Sequence, residues 1–188
     1  MEKLPKSQPE ALIIMNPISG FNNAKTLRRI INDHFRRAGW YFNIYLTEKD
    51  VHPGQLIAEY LDKGVDLVIV AGGDGTIAAV AAGMAGSTTP LGIIPTGTWN
   101  AIARHLMLSF NPTRAMSLIT GSHQVKHLDL MSIGSSIHAM NLGVGLSARV
   151  IKETSRDKKR RFGNLAYYAG LVRQVFGIKL TSYRIVAD

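Results

Sequence analysis

The chain contains no cysteine, which excludes disulfides, a thiol nucleophile and cysteine-ligated metal. Aromatic residues are scarce, at 7%. They are not interleaved with cations as a nucleic-acid platform requires, and no helix-turn-helix pattern is present, so no nucleic-acid partner is expected. No uninterrupted apolar run approaches the roughly 18–20 residues that span a bilayer. The opening MEKLPKSQPE lacks the apolar centre of a signal peptide. Together these absences point to a cytoplasmic location. The six histidines show no ligand spacing, so no histidine metal site is assigned.

What is present is globular: 188 residues, 46% hydrophobic, with 18 Gly and 7 Pro. That length suits one domain and part of another. The net charge of +9 is uneven. Residues 1–40 hold seven Lys or Arg against three acids, and residues 152–173 hold seven against two. The densest run is Arg156, Lys158, Lys159, Arg160 and Arg161. It reads either as a solvated loop or as a peripheral contact with an anionic membrane, where each cation contributes about 1 kcal/mol.

Four apolar stretches read as strands: Ala11 to Met15, Tyr41 to Leu46, Val65 to Ala71 and Leu91 to Ile94. Between them run helical patterns: Leu27 to Ala38, a stretch bearing Leu56, Ile57, Tyr60 and Leu61, and Ile77 to Ala85. Alternation of this kind predicts a parallel sheet flanked by helices. After residue 123 the pattern changes. Val125 to Ile133 and Ser136 to Leu142 read as consecutive strands around a Gly134-Ser135 turn, then a helix from Phe162 to Phe176 and a strand from Lys179 to Ala187. The expected division is a nucleotide-binding α/β domain at 1–124, followed at 125–188 by the start of a mostly β domain. The last strand needs a partner, found further along the chain or in a second copy as a homodimer.

Chemistry concentrates where the strands end. AGGDGT at 71–76 joins a buried strand to a helix, where ligands of open α/β sheets bind. Gly72, Gly73 and Gly75 permit positive φ and let backbone amides approach a phosphate, with the helix start behind them. Asp74 beside phosphates needs a sugar hydroxyl or a Mg²⁺ ion as partner. PTGTWN at 95–100 repeats the arrangement one crossover later, with Thr98 and Asn100 as polar candidates. NPISG at 16–20 follows the first strand and Thr47 the second.

These motifs, with NLGVG at 141–145 and KRRFGNLAYYAG at 159–170, resemble the diacylglycerol kinase catalytic domain family, especially its bacterial soluble, sphingosine-kinase-like branch. The resemblance implies a sheet like those of NAD kinase and phosphofructokinase. It implies ATP- and Mg²⁺-dependent transfer of the γ-phosphoryl group to a lipid hydroxyl at a membrane surface, hence phospholipid biosynthesis. By the same resemblance Asn16, Ser19, Gly20, Thr47, Gly72, Gly73, Asp74, Gly75, Thr76 and Thr98 surround ATP, with Asn100 beside them. Three positions depart from the family. Ala78 and Ala79 stand where Asn-Glu is usual, and Ala101 where an Asp is usual. The family's acidic general base is expected beyond Asp188. Two further readings stay open: a kinase of a soluble acceptor such as NAD, and a nucleotide-binding module without turnover.

Overall fold

The computed structural model describes residues 8–19, 24–48, 52–134 and 136–139. The chain divides into two compact units, Met1–Met140 and Asn141–Asp188, and every element below belongs to the first. The expected helix Phe162 to Phe176, the strand Lys179 to Ala187, the cations at 156–161, the segments NLGVG and KRRFGNLAYYAG, and Gly20 lie outside the described residues.

Strands β1 (Glu10–Met15), β2 (Tyr41–Leu46), β3 (Leu67–Gly72) and β4 (Leu91–Pro95) form one parallel sheet in the order β2-β1-β3-β4. The crossovers carry α1 (Ala24–Ala38), α2 (Gly54–Asp62) and α3 (Asp74–Gly83). After β4 come α4 (Ala101–His105), α5 (Pro112–Thr120) and an antiparallel hairpin, β5 (Met131–Ile133) with β6 (Ser136–His138). This is the expected α/β sheet flanked by helices.

Side chains alternate across each strand, and here both faces are covered. Ala11, Ile13, Met15, Leu67, Ile69, Ala71 and Ile94 pack with Leu27, Ile31 and Phe35 of α1 and Met116 of α5. Leu12, Ile14, Val68, Val70 and Ile93 pack with Ile57 of α2, Ile77 and Val80 of α3, and Ile102 of α4. Each fully buried Ile or Phe contributes about 1.5–3 kcal/mol. Full coverage is why β1 and β3 read as unbroken apolar runs. On the solvent side of α2, Glu59 accepts a hydrogen bond from Lys63, which holds that ammonium above its ordinary pKa.

Some sequence expectations are corrected. α3 begins at Asp74 rather than Ile77, so Asp74, Gly75 and Thr76 form the first helical turn. The strand expected from Val125 contracts to Met131–Ile133, and residues 125–129 are exposed without regular structure. Alternating apolar residues make a strand only where a ladder partner exists, and only Val125 of this segment is β-branched. Asp129 is an exposed loop residue. The turn holds as expected: Gly134 takes φ +59 and Ile133 pairs with Ser136. α5 was not expected. Asn111 caps it by accepting from the Arg114 amide at 3.1 Å, and Pro112 opens its first turn. Among the described residues no helix is long and apolar enough to cross a membrane.

Candidate functional site

The strand order fixes where a ligand crevice opens. β1 leads through α1 to β2 on one side, while β3 leads through α3 to β4 on the other. The loops leaving β1 and β3 therefore diverge, with α1 packed on one sheet face and α3 on the opposite one. That divergence is the switch point beyond which open α/β sheets bind ligands. Asn16 to Ser19 and the GGDGT loop follow those two strands.

Backbone ladders run on past the strand ends and hold the loops in register. The amide of Asn16 donates to Ala71 at 2.9 Å, that of Thr47 to Met15 at 2.9 Å, and that of Thr96 to Gly72 at 2.9 Å. Side chains then stitch the loops together. Asn16 Nδ2 donates to Thr76 Oγ1 at 3.1 Å, and Asn16 Oδ1 accepts from the Ile18 amide at 3.1 Å. Thr96 Oγ1 donates to Ser19 Oγ at 3.0 Å. Thr96 is buried and was missed in the sequence; a polar residue directly after a buried strand was its signal.

The glycines do different work from what the motif suggested. Among the described residues only Gly39, Gly64, Gly86 and Gly134 combine glycine with positive φ, so Gly72, Gly73 and Gly75 do not need it. Their value is the missing side chain. A Cβ on Gly97 would stand 2.5 Å from the Gly73 Cα, and one on Gly72 would stand 2.7 Å from the Thr76 Cβ. The two glycine loops thus touch backbone to backbone. Gly75 differs: a Cβ there meets nothing within 4 Å. Packing within the protein gives Gly75 no reason to be glycine, whereas close approach of an external group would.

At the start of α3 the amides of Thr76 and Ile77 are satisfied by the Gly73 carbonyl, at 2.9 and 3.0 Å. The first helical amides, Asp74 and Gly75, have no partner inside the helix. Asp74 itself crosses to the next loop, where its Oδ1 accepts from the Ala101 amide at 2.6 Å and caps α4. Asn100 does not cap α4 through its side chain. It sits at φ 48 and ψ 51, buried, and its amide closes the loop on itself: Gly97 N donates to Oδ1 and Nδ2 donates to the Gly97 carbonyl, both at 2.8 Å.

The structure therefore brings Asn16, Ser19, Gly72, Gly73, Asp74, Thr76 and Asn100 into one bonded cluster with Thr96, Gly97 and Ala101. Gly75 and Thr98 are exposed at its surface. Thr47 follows β2, one strand out from β1, and is tied to the β1 end by its backbone amide. A groove of about 460 Å³ lies elsewhere, along the β4 edge between Leu91, Ala115, Ile119 and Leu130. Its walls are mostly aliphatic and include Arg114, His123, Lys126 and His127, and none of the site residues expected from the sequence lines it.

Asn100→Ala is expected to cost about 2–4 kcal/mol, because it orphans the Gly97 amide and leaves alanine in a left-handed conformation. Urea unfolding checks this, and Asn100→Gly should recover the backbone share.

A doubly wound α/β sheet with paired glycine loops at its switch point defines the class of protein: a fold of the NAD kinase type. Within it, residues 10–133 match the diacylglycerol kinase catalytic domain, and the chain belongs to that family. It is 30% identical over 171 residues to a probable YegS-like lipid kinase of Pseudomonas fluorescens, covering 89% of this chain and 54% of that one. To a diacylglycerol kinase of Staphylococcus saprophyticus it is 31% identical over 180 residues, covering 95% and 59%. Among solved structures, a diacylglycerol kinase from Bacillus anthracis superposes with TM-score 0.53 at 30% identity, covering 62% of this chain and 44% of that one. A putative diacylglycerol kinase from the same organism gives 0.55 at 31%, covering 67% and 46%. The chain spans about half the length of the curated relatives it matches.

Proposed function

We propose that this chain is the nucleotide-binding part of an ATP-dependent lipid kinase, which transfers the γ-phosphoryl group to a lipid hydroxyl of the diacylglycerol type. The observation that carries the reading is the open space over Gly75 at the start of α3, beside the joined loops Gly73 and Gly97. Amides of Asp74 and Gly75 supply donors to a phosphate, reinforced by the positive end of a ten-residue helix. Asn16, Ser19, Thr76 and Thr98 offer hydroxyl and amide groups along the same rim. The family names of the relatives support kinase chemistry and a lipid acceptor.

Mg²⁺ is characteristically held by one or two carboxylates together with phosphate oxygens. Asp74 suits that part, because Ala101 engages only its Oδ1. Bound there with ATP, the ion would neutralise charge that develops on the phosphates. The protein's own contribution is positioning: phosphoryl transfer asks mainly for alignment and charge stabilisation, plus a group that orients or deprotonates the acceptor. We place that group, an acidic general base, outside the described residues. Catalysis would occur at a membrane surface, with the enzyme attached peripherally.

Gly75→Ala tests the reading. Alanine in the first turn of a helix, with free space around it, should leave stability unchanged or raise it by up to about 1 kcal/mol. ATP affinity should nevertheless fall at least about tenfold, since the added methyl occupies the phosphate approach. Isothermal titration of ATP and thermal unfolding of one preparation give both numbers. Unchanged ATP affinity in a stable variant would remove the rim as the nucleotide site.

A further inference from the structure

From Gly75 to Leu128 the chain has no Asp or Glu, while it carries Arg104, Arg114 and Lys126 with His105, His123 and His127. Within this acid-free stretch, from the PTGTWN loop to Phe110, three large apolar side chains are exposed. Met107 is 85% exposed, Trp99 45% and Phe110 43%. Isolated exposed apolar residues are ordinary. These three are joined by one residue: Arg104 Nε donates to the Trp99 carbonyl at 2.7 Å, and its guanidinium lies 4.9 Å from the centre of the Phe110 ring. Met107 follows in the turn that ends α4, its amide donating to the Arg104 carbonyl at 3.0 Å.

The Met107 backbone strengthens the case. It takes φ +55, a conformation that favours glycine or asparagine. A long apolar side chain there serves neither the turn nor the core, since it remains almost wholly outside.

We infer that Trp99, Met107 and Phe110, joined through Arg104 and with His105 and Arg114 in the same segment, form a docking patch for an anionic lipid bilayer. Aromatic rings with a polar edge, a flexible apolar side chain and cations make up the composition that settles at the headgroup level. Charge decides the occupant. An anionic surface gains from each nearby cation, and Asp74, the carboxylate that meets this stretch, is engaged with the Ala101 amide. Because the patch begins in the loop bearing Thr98 and Asn100, docking would hold the rim against the membrane. The patch takes its purpose from the lipid-kinase reading, but it can be tested without it.

The probes are vesicles of phosphatidylcholine with a minority of phosphatidylglycerol, compared with pure phosphatidylcholine. The chain has two tryptophans. In a Trp40→Phe background, emission from Trp99 reports its own surroundings. It should shift to the blue on adding anionic vesicles, and raised salt should reverse this. Met107→Asn with Phe110→Ser suits both backbones and should weaken partition onto anionic vesicles at least about tenfold. Turnover of a short-chain acceptor dispersed in water should not change. Thr113→Glu places an acid at the start of α5, where a helix tolerates it. It should weaken binding to anionic vesicles and leave the neutral ones unaffected. Wild-type partition by the double variant, or a Trp99 emission that vesicles do not move, would overturn the patch. Patch-dependent vesicle binding by a chain inactive on every acceptor would uphold it while refuting the kinase reading.

Discussion

Asp74→Asn is expected to stop phosphoryl transfer while the protein stays folded, and Asp74→Ala to damage both. The structure separates the two functions of this side chain. Its Oδ1 accepts the Ala101 amide at 2.6 Å, the task of a helix cap for α4 that Asn100 leaves undone. Asparagine retains that acceptor and loses only the negative charge, so unfolding free energy should stay within about 1 kcal/mol of the parent. Alanine removes the acceptor too and should cost about 1–2 kcal/mol. Turnover of the complete enzyme should fall about a hundredfold or more in both, on the scale of losing one preorganised charge-stabilising group. Urea unfolding together with a labelled-ATP transfer assay resolves the pair. Full activity in Asp74→Asn would show that the residue is only a cap, whereas a parent chain that binds ATP and transfers nothing would favour a binding module without turnover.

The second large effect belongs to Gly97→Ala. A Cβ at 2.5 Å from the Gly73 Cα cannot be accommodated by turning a side chain, because the obstacle is backbone. Either loop must retreat, which also loosens the Asn100 amide, since its Oδ1 would lie 2.8 Å from the new atom. Overpacking of this kind costs about 1–3 kcal/mol. Nucleotide affinity should collapse together with stability, as differential scanning and ATP titration would record. Set beside Gly75→Ala, the comparison divides glycines that shape the protein from the glycine that faces outward. Equal stability loss at both positions would contradict the geometry described.

Much of this architecture was legible in the sequence, because periodicity and glycine punctuation report local physics. β1 and β3 announce themselves as apolar runs since both sheet faces are covered, and the rim loops follow them directly. What stayed hidden depends on contact across the chain. Ser19 and Thr96 are 77 positions apart when they bond, and no local pattern joins them. The Gly73–Gly97 contact is hidden for the same reason: the motif says glycine, but only the fold says against what. α5 was readable from Asn111 and Pro112, yet its few apolar positions gave a weak period. Residues 125–129 failed in the opposite way, with an apolar alternation at Val125 and Leu128 to Leu130 too weak to make a strand without a ladder to join. The diacylglycerol kinase resemblance and the sheet it implied agree with the family match and the solved structures.

Where Gly73 meets Gly97, the contact between the two glycine loops is made of main chain. Nothing there is available for gradual adjustment by exchanging one side chain for another. Diversification of ligand preference among chains sharing this framework must therefore proceed at the periphery, at places such as Ile18 and Thr98, while the hinge between the loops is inherited whole or lost.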